Sequence, residues 1–259
     1  MSVFATRLTK HLLIATTLLL LAQLAVPAQA QTKITGCGTT IKLAGTYVVA
    51  NDLFDCPGDG IDIAFGHVTL ELGNHQITGS GKGTGIRVAR APGLLARNVI
   101  IHGPGTISNF DKGIELVDSE AGEVSGVTCS GNNTGFVVDL QTDAWDNKIH
   151  DNIATVNHGD GFLINDEWSH YERNQSNGNS GSGFLLSAVH AQNNFVNNNT
   201  ANQNANDGIQ AQSGAVRNLI YENHATGNFV LDLVDDNPQG CPNDWYHNSF
   251  GTSNKKCIQ

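Results

Sequence analysis

The sequence predicts an all-β chain wound as a solenoid of short parallel strands, with one coil per repeat. A Gly followed by alternating apolar residues recurs seven times, at spacings of 22 to 28 residues. A second segment that ends in Asn keeps register with the first pattern over five coils. The repeat is shorter than the roughly 33 to 47 residues of helical solenoids, and it is rich in Gly and Asn. Stacked parallel strands therefore explain the pattern better than packed helices.

The glycine pattern predicts the inward side of each coil. The recurring glycines are Gly60, Gly85, Gly113, Gly135, Gly161, Gly183 and Gly208. Apolar residues stand one and three positions after each of them, namely Ile61 and Ile63, Ile86 and Val88, Ile114 and Leu116, Phe136 and Val138, Phe162 and Ile164, Phe184 and Leu186, and Ile209 and Ala211. Side chains of a strand alternate with period two, so both rows face the core. Equivalent residues then stack about 4.8 Å apart.

The second pattern reads "VTCSGN", "NIATVN", "NQSNGN", "NTANQN" and "NHATGN". Its small third residues are Cys129, Ala154, Ser176, Ala201 and Ala225, and its last residues are Asn132, Asn157, Asn179, Asn204 and Asn228. The small row is expected to point inward at a tight turn, with Cys129 as a packed apolar side chain. The Asn row is expected to adopt left-handed turn dihedrals and to bond to the next coil.

Residues 1–30 have the features of a secretory signal. Arg7 and Lys10 precede an apolar run, and "AQA" predicts cleavage after Ala30. The alternative, a membrane anchor, fits less well because the run is short and carries a cleavage motif. Removing two of the 14 Lys and Arg leaves 12 against 24 Asp and Glu. We expect a secreted or periplasmic protein without nucleic-acid or membrane partners, since an acidic surface repels both phosphates and anionic lipids.

The cysteines predict how the two ends are closed. Exported proteins can form disulfides, and two cysteines stand near each end of the mature chain. We expect Cys37–Cys56 and Cys241–Cys257, with Cys129 free. No CxxC pair occurs, which argues against a structural zinc site. Open solenoid ends need caps, so we expect an N-terminal cap at 31–58, coils at 59–233 and a C-terminal cap at 234–259.

The chain resembles the right-handed parallel β-helix proteins of the pectate-lyase-like superfamily, and is similar to small exported bacterial proteins with that fold. The resemblance rests on "GDGIDI", "VTLELGNHQITGSG", the "NxAxxN" coils and the ending "DLVDDNPQGCPNDWYHNSFGTSNKKCIQ". It covers essentially the whole mature chain and implies a single-stranded right-handed β-helix of about eight coils. Enzymes of the superfamily act mostly on acidic polysaccharides, but one fold can host many functions.

The catalytic signatures of those enzymes do not occur on the coils. Lyases of the superfamily use Ca²⁺ with a nearby base. We expect none of the basic residues of the coils to form a stack with acids, namely Arg87, Arg90, Arg97, Lys148, Arg173 and Arg217. Motifs of polygalacturonase-type hydrolases and alginate epimerases are missing from the coils. If the protein is an enzyme, the resemblance implies a polysaccharide lyase or glycoside hydrolase, without an identified catalytic residue.

Three consecutive coils supply polar and aromatic residues directly after their glycine-based strands. The candidate substrate-binding residues are Asp143, Trp145, Asp166, Glu167, Trp168, His170 and His190. Aromatic rings beside carboxylates suit a sugar-binding groove, and paired carboxylates can also cleave glycosides. The alternative is that these residues form ordinary solvated turns. The sequence thus predicts an exported protein that binds or processes polysaccharide.

Two further features suggest other functions. Val137, Leu163 and Leu185 form an outward apolar stripe between the two core rows, which predicts a protein contact or cover by another segment. Three tail acids, Asp232, Asp235 and Asp236, are a candidate Ca²⁺ site, although such residues more often cap turns. We expect no cofactor, with calcium as the alternative.

Overall fold

The computed structural model describes residues 31–90, 95–141, 145–188, 190–238 and 240–259. These residues form 28 β-strands and no helix, and the strands pair in parallel from one coil to the next. Within the same ranges, no helix is long and apolar enough to cross a membrane. The all-β prediction is therefore confirmed.

The strands stack into three faces. Face 1 contains β1 (Thr32–Ile34), β3 (Gly45–Val49), β6 (Val68–Glu71), β15 (Lys148–His150), β18 (His170–Glu172), β21 (Phe195–Asn197), β24 (Leu219–Tyr221) and β27 (Asp244–Tyr246). Face 2 contains β4 (Leu53–Cys56), β7 (Gln76–Gly79), β16 (Ile153–Thr155), β19 (Gln175–Asn177), β22 (Thr200–Asn202), β25 (His224–Thr226) and β28 (Ser249–Phe250). Two long strands, β10 (Ile100–Ser108) and β13 (Glu123–Ser130), run through both faces and join them into one 17-stranded sheet.

Face 3 is the glycine-based sheet of nine strands. They are β2 (Thr39–Ile41), β5 (Ile61–Ile63), β8 (Thr84–Val88), β11 (Lys112–Val117), β14 (Thr134–Asp139), β17 (Phe162–Asn165), β20 (Phe184–Leu186), β23 (Ile209–Ala211) and β26 (Leu233–Asp235). A short pair, β9 (Ala96–Arg97) with β12 (Ser119–Glu120), lies before face 1. Nine stacked strands correspond to eight turns, as predicted.

Both predicted core rows are buried on the inner side of face 3. The rings of Phe136, Phe162 and Phe184 stack with centroids 4.6 Å apart. The small row is also buried, including the free thiol of Cys129, whose pKa is raised because the interior disfavours the thiolate. Cys129 is therefore a packed apolar side chain, as predicted.

The glycine row is explained by close approach of neighbouring coils. A Cβ added to Gly161 would lie 1.9 Å from Ser176 Oγ and 2.8 Å from the carbonyl oxygen of Gly183. Gly161 has no left-handed dihedral. A side chain at this position would therefore force adjacent coils apart, which is why the glycine recurs once per coil.

The predicted Asn row forms a buried ladder. The side-chain oxygen of Asn157 accepts the backbone N–H of Asn132 at 3.0 Å, and Asn179 accepts that of Asn157 at 3.0 Å. The expected left-handed dihedral is wrong for these Asn residues. It belongs to the residue before them, as at Val156 (φ 48°), where it turns the chain.

Two additional ladders were not expected as such from the sequence. One consists of Asn152, Asn174, Asn199, Asn223 and Asn248, and the other of Asn147, Ser169, Asn194, Asn218 and Asn243. Asp232 accepts Asn228 Nδ2 at 2.9 Å, and Asp235 accepts Asn243 Nδ2 at 2.9 Å. These two carboxylates therefore end ladders that would otherwise leave a buried amide donor without an acceptor.

Both predicted disulfides are present, with Cα–Cα distances of 5.4 Å for Cys37–Cys56 and 6.3 Å for Cys241–Cys257. Strand pairing extends from Thr32 to Phe250. The paired coils therefore reach into both predicted caps, beyond the expected limits of 59 and 233.

Candidate functional site

Two rows of outward side chains run along face 1. The upstream row is Thr69, Ile100, Glu123, Lys148, His170, Phe195, Leu219 and Asp244. The downstream row is Glu71, His102, Ser125, His150, Glu172, Asn197, Tyr221 and Tyr246. The residues between the rows point inward and are buried. The strand register thus places imidazoles, carboxylates and aromatic rings on successive coils of one surface.

Acids and imidazoles alternate at the start of face 1. His102 Nδ1 lies 3.2 Å from Glu71 Oε1, and His102 Nε2 lies 3.5 Å from Glu123 Oε1. The same Glu123 oxygen lies 3.3 Å from His150 Nε2. Glu123 therefore links two histidines that belong to different coils, and the three side chains hold each other in place.

The chain of polar contacts continues to Arg173. The guanidinium of Arg173 donates two hydrogen bonds of 2.9 Å to the carboxylate of Asp151, and it also contacts Glu172. Arg173, together with His150, holds the pKa of Asp151 at about 2 because hydrogen bonds favour the carboxylate. Asp151 therefore stays ionised at neutral pH, and the guanidinium of Arg173 contacts two acids.

Three cavities lie along face 1 and its adjoining turns. One of about 230 Å³ is lined by Lys148, His150, His170, Glu172 and Arg173. A second, of about 270 Å³, shares Lys148 and also includes Glu123. The third, of about 450 Å³, shares His150 and is bounded by Glu71, His102 and Asp151. The first cavity shares Lys148 with the second and His150 with the third, so the three lie side by side on face 1, and together they are called the depression below.

Lys148 is the unpaired cation of this depression. The structure shows no ion pair or side-chain hydrogen bond for Lys148 among the residues that it describes, and the side chain is exposed. Its neighbours along the row are Glu123 and His170. An exposed ammonium group between polar side chains is available to a ligand.

The predicted binding edge forms the upstream margin of face 1. Trp145 and Glu167 are bridge partners on adjacent coils, and both are partly exposed. Trp168 follows with a left-handed dihedral, and 54% of its surface is exposed. His170 lies on face 1 itself and stacks on Phe195 at 4.5 Å. The structure therefore brings these four predicted residues together.

The structure does not place the other three predicted residues, Asp143, His190 and Asp166, in this group. Asp143 lies outside the described residues, and His190 is partly exposed in a turn. Asp166 is fully buried, so its predicted contact with a ligand is wrong. The residues at its position on neighbouring coils, such as Ser119 and Ala191, are small and point inward too. Asp166 follows this inward row rather than the exposed turn.

Asp166 instead forms an interior contact with face 1. The hydroxyl of Tyr171, an inward residue of β18, donates a hydrogen bond of 2.8 Å to Asp166 Oδ1. Burial raises the pKa of Asp166 to about 7, which outweighs the hydrogen bonds from Ser169, Tyr171 and Asn147. This carboxyl group therefore titrates near neutral pH without reaching the surface.

Two expectations about face 3 need correction. Val137 is buried, and Leu163 and Leu185 are only partly exposed, so the apolar stripe is smaller than predicted. Arg87 lies between two acids, 3.5 Å from Asp62 and 3.6 Å from Glu115. The expected lack of a base–acid stack is therefore wrong here, because the register aligns residues that are 25 and 28 positions apart.

Most residues of the depression were missed by sequence reasoning. Glu71, His102, Glu123 and His150 come from four coils, and no local motif joins them. The sequence does contain one usable signal, a step of five residues between Asn147, Asn152 and Asn157. The first Asn of each "NxAxxN" segment therefore has an equivalent position five residues before it. Aligning the coils on that five-residue step places Lys148 beside His170 and His150 beside Glu172.

Comparison with solved structures shows the same fold. The enzymatically active domain of tailspike protein 2 from bacteriophage CBA120 matches with a TM-score of 0.57 at 12% identity, over 83% of this chain and 39% of that one. The A-module of mannuronan C-5 epimerase AlgE6 from Azotobacter vinelandii matches with a TM-score of 0.49 at 18% identity, over 78% of this chain and 60% of that one. This chain spans less than two thirds of either protein.

Comparison with protein families gives a match over most of the chain. The family model described as "Periplasmic copper-binding protein (NosD)" matches residues 31–257. No curated protein matches the chain. The periplasmic family confirms the predicted periplasmic or secreted location, and the family match together with the tailspike structure confirms the right-handed parallel β-helix. The chain belongs to the NosD family.

Proposed function

We propose that this protein binds polysaccharide along face 1. The observation that carries the proposal is the row of neighbouring cavities between Glu71 and Arg173, which presents polar side chains on successive coils. Neighbouring coils are about 4.8 Å apart, which is close to the length of one sugar unit in an extended chain. A polysaccharide parallel to the axis would therefore meet a new set of side chains with each sugar.

The side chains of the depression suit sugar hydroxyl groups. Carboxylates such as Glu123 accept hydrogen bonds from hydroxyls, Lys148 donates them, and a histidine can do either. At the margin, the exposed indole of Trp168 offers an apolar surface for sugar C–H groups. We propose binding and assign no reaction to the site.

The proposal can be tested with two histidine variants from the same region of the chain. His150→Ala removes a lining residue, whereas His158→Ala removes an exposed histidine on the turn that follows face 2. We expect His150→Ala, combined with Lys148→Ala, to weaken binding of soluble polysaccharides at least tenfold in titration calorimetry. His158→Ala should bind like the unaltered protein.

Two outcomes would contradict the proposal. One is a failure of the unaltered protein to bind any polysaccharide from a panel of uncharged and uronic-acid polymers. The other is equal affinity of the His150 and His158 variants, which would place binding on a different surface.

The family name raises the question of copper. Copper sites use thiolate, thioether and imidazole ligands. The sequence has one Met, at position 1, and the free thiol of Cys129 is buried. Among the residues that the structure describes, no group of three or more His, Cys, Asp or Glu side chains is placed to hold a metal ion. These residues do not fit a copper or calcium centre, and the proposed function does not depend on one.

A further inference from the structure

We infer that the polysaccharide bound along face 1 is uncharged rather than a polyuronate, an inference that rests on the proposed function. The reason is the balance of charge on this surface. From the coil of Glu71 to that of Asp244, the two outward rows and the turns after them carry six carboxylates and two fixed cations, and the exposed Lys33 lies two coils before Glu71. The carboxylates are Glu71, Glu123, Asp151, Glu172, Glu222 and Asp244, and the cations are Lys148 and Arg173.

Two of the basic side chains on or beside face 1, Arg97 and Arg173, already form ion pairs with acids of the protein. Arg173 is held by Asp151 and Glu172. On the upstream margin, Arg97 Nε lies 2.6 Å from Glu120, whereas Arg217 donates only to the uncharged amides of Gln192 and Asn193 and keeps its charge outside the two rows. Between the coils of Glu71 and Asp244, Lys148 is therefore the fixed cation of the two rows that is available to an anionic ligand.

The far end of face 1 is unfavourable for an anion. Glu222 and Asp244 are exposed, and neither has an ion pair within the described part of the chain. A polyuronate carries one carboxylate per sugar and would place several of them near these acids. Like charges about 4 Å apart repel by about 1 kcal/mol even in bulk water, and the negative mature chain adds repulsion at longer range.

The same acids favour a polymer that presents only hydroxyl groups. The rings of Tyr221 and Tyr246 stack at 5.0 Å, so each contributes a phenol group on adjacent coils. A cavity of about 420 Å³ beside them is lined by Asp244, Tyr246 and Trp245. Phenol and carboxylate oxygens can accept hydrogen bonds from sugar hydroxyls without requiring a charge on the ligand.

The experiment compares two polymers that differ in charge but share a backbone. These are polygalacturonate and its fully methyl-esterified derivative, measured together with a neutral galactomannan and a neutral β-glucan. We expect at least one uncharged polymer to bind with an affinity that is unaffected by salt. Polygalacturonate should bind at least tenfold more weakly than its methyl ester, with or without added calcium.

A variant that removes two carboxylates tests whether the far end of face 1 repels polygalacturonate. Glu222→Gln combined with Asp244→Asn should raise the affinity for polygalacturonate at least threefold. Asp111→Asn, an exposed acid on the turn after face 2, should leave that affinity unchanged. Tight, salt-sensitive or calcium-dependent binding of polygalacturonate would overturn this inference and still support polysaccharide binding. Lack of binding by every polymer would instead contradict the proposed function.

Discussion

Face 1 and face 2 share one interior but have different outward surfaces. Both present buried apolar or small residues to the core and both are bounded by Asn ladders. Face 1 carries acids, bases and aromatic rings, as described above. The outward rows of face 2 hold Gln76, Thr78, Thr106, Ser108, Thr128, Ser130, Ile153, Thr155, Gln175, Asn177, Thr200, Asn202, His224, Thr226 and Ser249. From β7 to β28 these rows contain no Asp, Glu, Lys or Arg, whereas β4 carries the exposed Asp55.

The polar groups of face 2 are largely satisfied by their own neighbours. Asn177 Oδ1 accepts the backbone N–H of Asn202 at 2.9 Å, and Asn202 Oδ1 accepts that of Thr226 at 2.9 Å. On face 1, by contrast, Lys148, Glu222 and Asp244 have no such partners among the described residues. The repeat thus determines which residues point inward on both faces. The outward residues of face 1 vary more from coil to coil than those of face 2, so face 1 is the better candidate for function.

The largest expected effect comes from a change in the interior that the two faces share. Asn132→Ala removes the acceptor of the Phe110 backbone N–H and the donor to the Ile107 carbonyl. We expect the free energy of unfolding to fall by about 4 kcal/mol, because a buried group is left unpaired and ladder bonds are lost. Chemical denaturation monitored by circular dichroism measures this loss.

The neighbouring residue provides the control. Asn133 is exposed and makes one side-chain hydrogen bond, to Asp111. Asn133→Ala should cost less than about 1 kcal/mol. Equal losses for the two variants would show that the ladder does not stabilise the coils.

A second prediction concerns the ionisable interior of face 1. The folded-state pKa of Asp166, about 7, lies above the ordinary value of 3.8. Between these values the folded protein holds a proton that the unfolded chain has released, so stability falls as pH rises through this window. Asp166→Asn removes this dependence. From about pH 4.5 to pH 7 we expect the variant to gain about 3 kcal/mol relative to the unaltered protein, at about 1.4 kcal/mol per pH unit.

The measurement is a pair of denaturation series across that pH range. Because other carboxyl groups titrate in both proteins, the difference between the two series isolates Asp166. A difference that does not change with pH would show that Asp166 is ionised in the folded protein throughout.

The smallest expected effect comes from the exposed ion pair of face 1. Arg173→Gln should lower stability at neutral pH by less than about 1 kcal/mol, because both partners are about half exposed. The pKa of Asp151 is lowered to about 2, so its stabilising contribution is present above about pH 4. That contribution is lost as the pH falls toward 2.

Thermal unfolding at low and high salt tests this prediction. The difference between the unaltered protein and Arg173→Gln should shrink in high salt and vanish near pH 2. Persistence of the full difference at pH 2 would mean that Arg173 stabilises the fold by packing rather than by its charge.

The sequence predicts the interior of this protein well because steric and burial constraints repeat in every coil. Gly161 cannot carry a side chain, and Phe162 must stack on its neighbours, so both recur at regular spacing. The sequence predicts the left-handed turn dihedral at the wrong residue, because Asn is common both in turns and in hydrogen-bonded ladders. The side chain of Asn157 serves the ladder, while Val156 makes the turn.

The candidate site is predicted less well because outward residues are free of those constraints. Glu123 and His150 are 27 positions apart, and their contact depends on the register between β13 and β15. The structure places His170 in the lining of one cavity and Trp168 two residues before it, and their part in binding stays a prediction. The prediction for Asp166 is wrong, because this acid occupies an inward row whose other members have small side chains.

Hydroxyl-radical footprinting read by mass spectrometry tests the central claim, that face 1 is the binding surface, most directly. With an uncharged polysaccharide bound, His150, Trp168 and Tyr246 should be protected from oxidation. Phe54 and Phe229, which are 59% and 85% exposed on other parts of the solenoid, should be oxidised as before. Protection of Phe54 or Phe229 with unchanged oxidation of the three face 1 residues would contradict the claim.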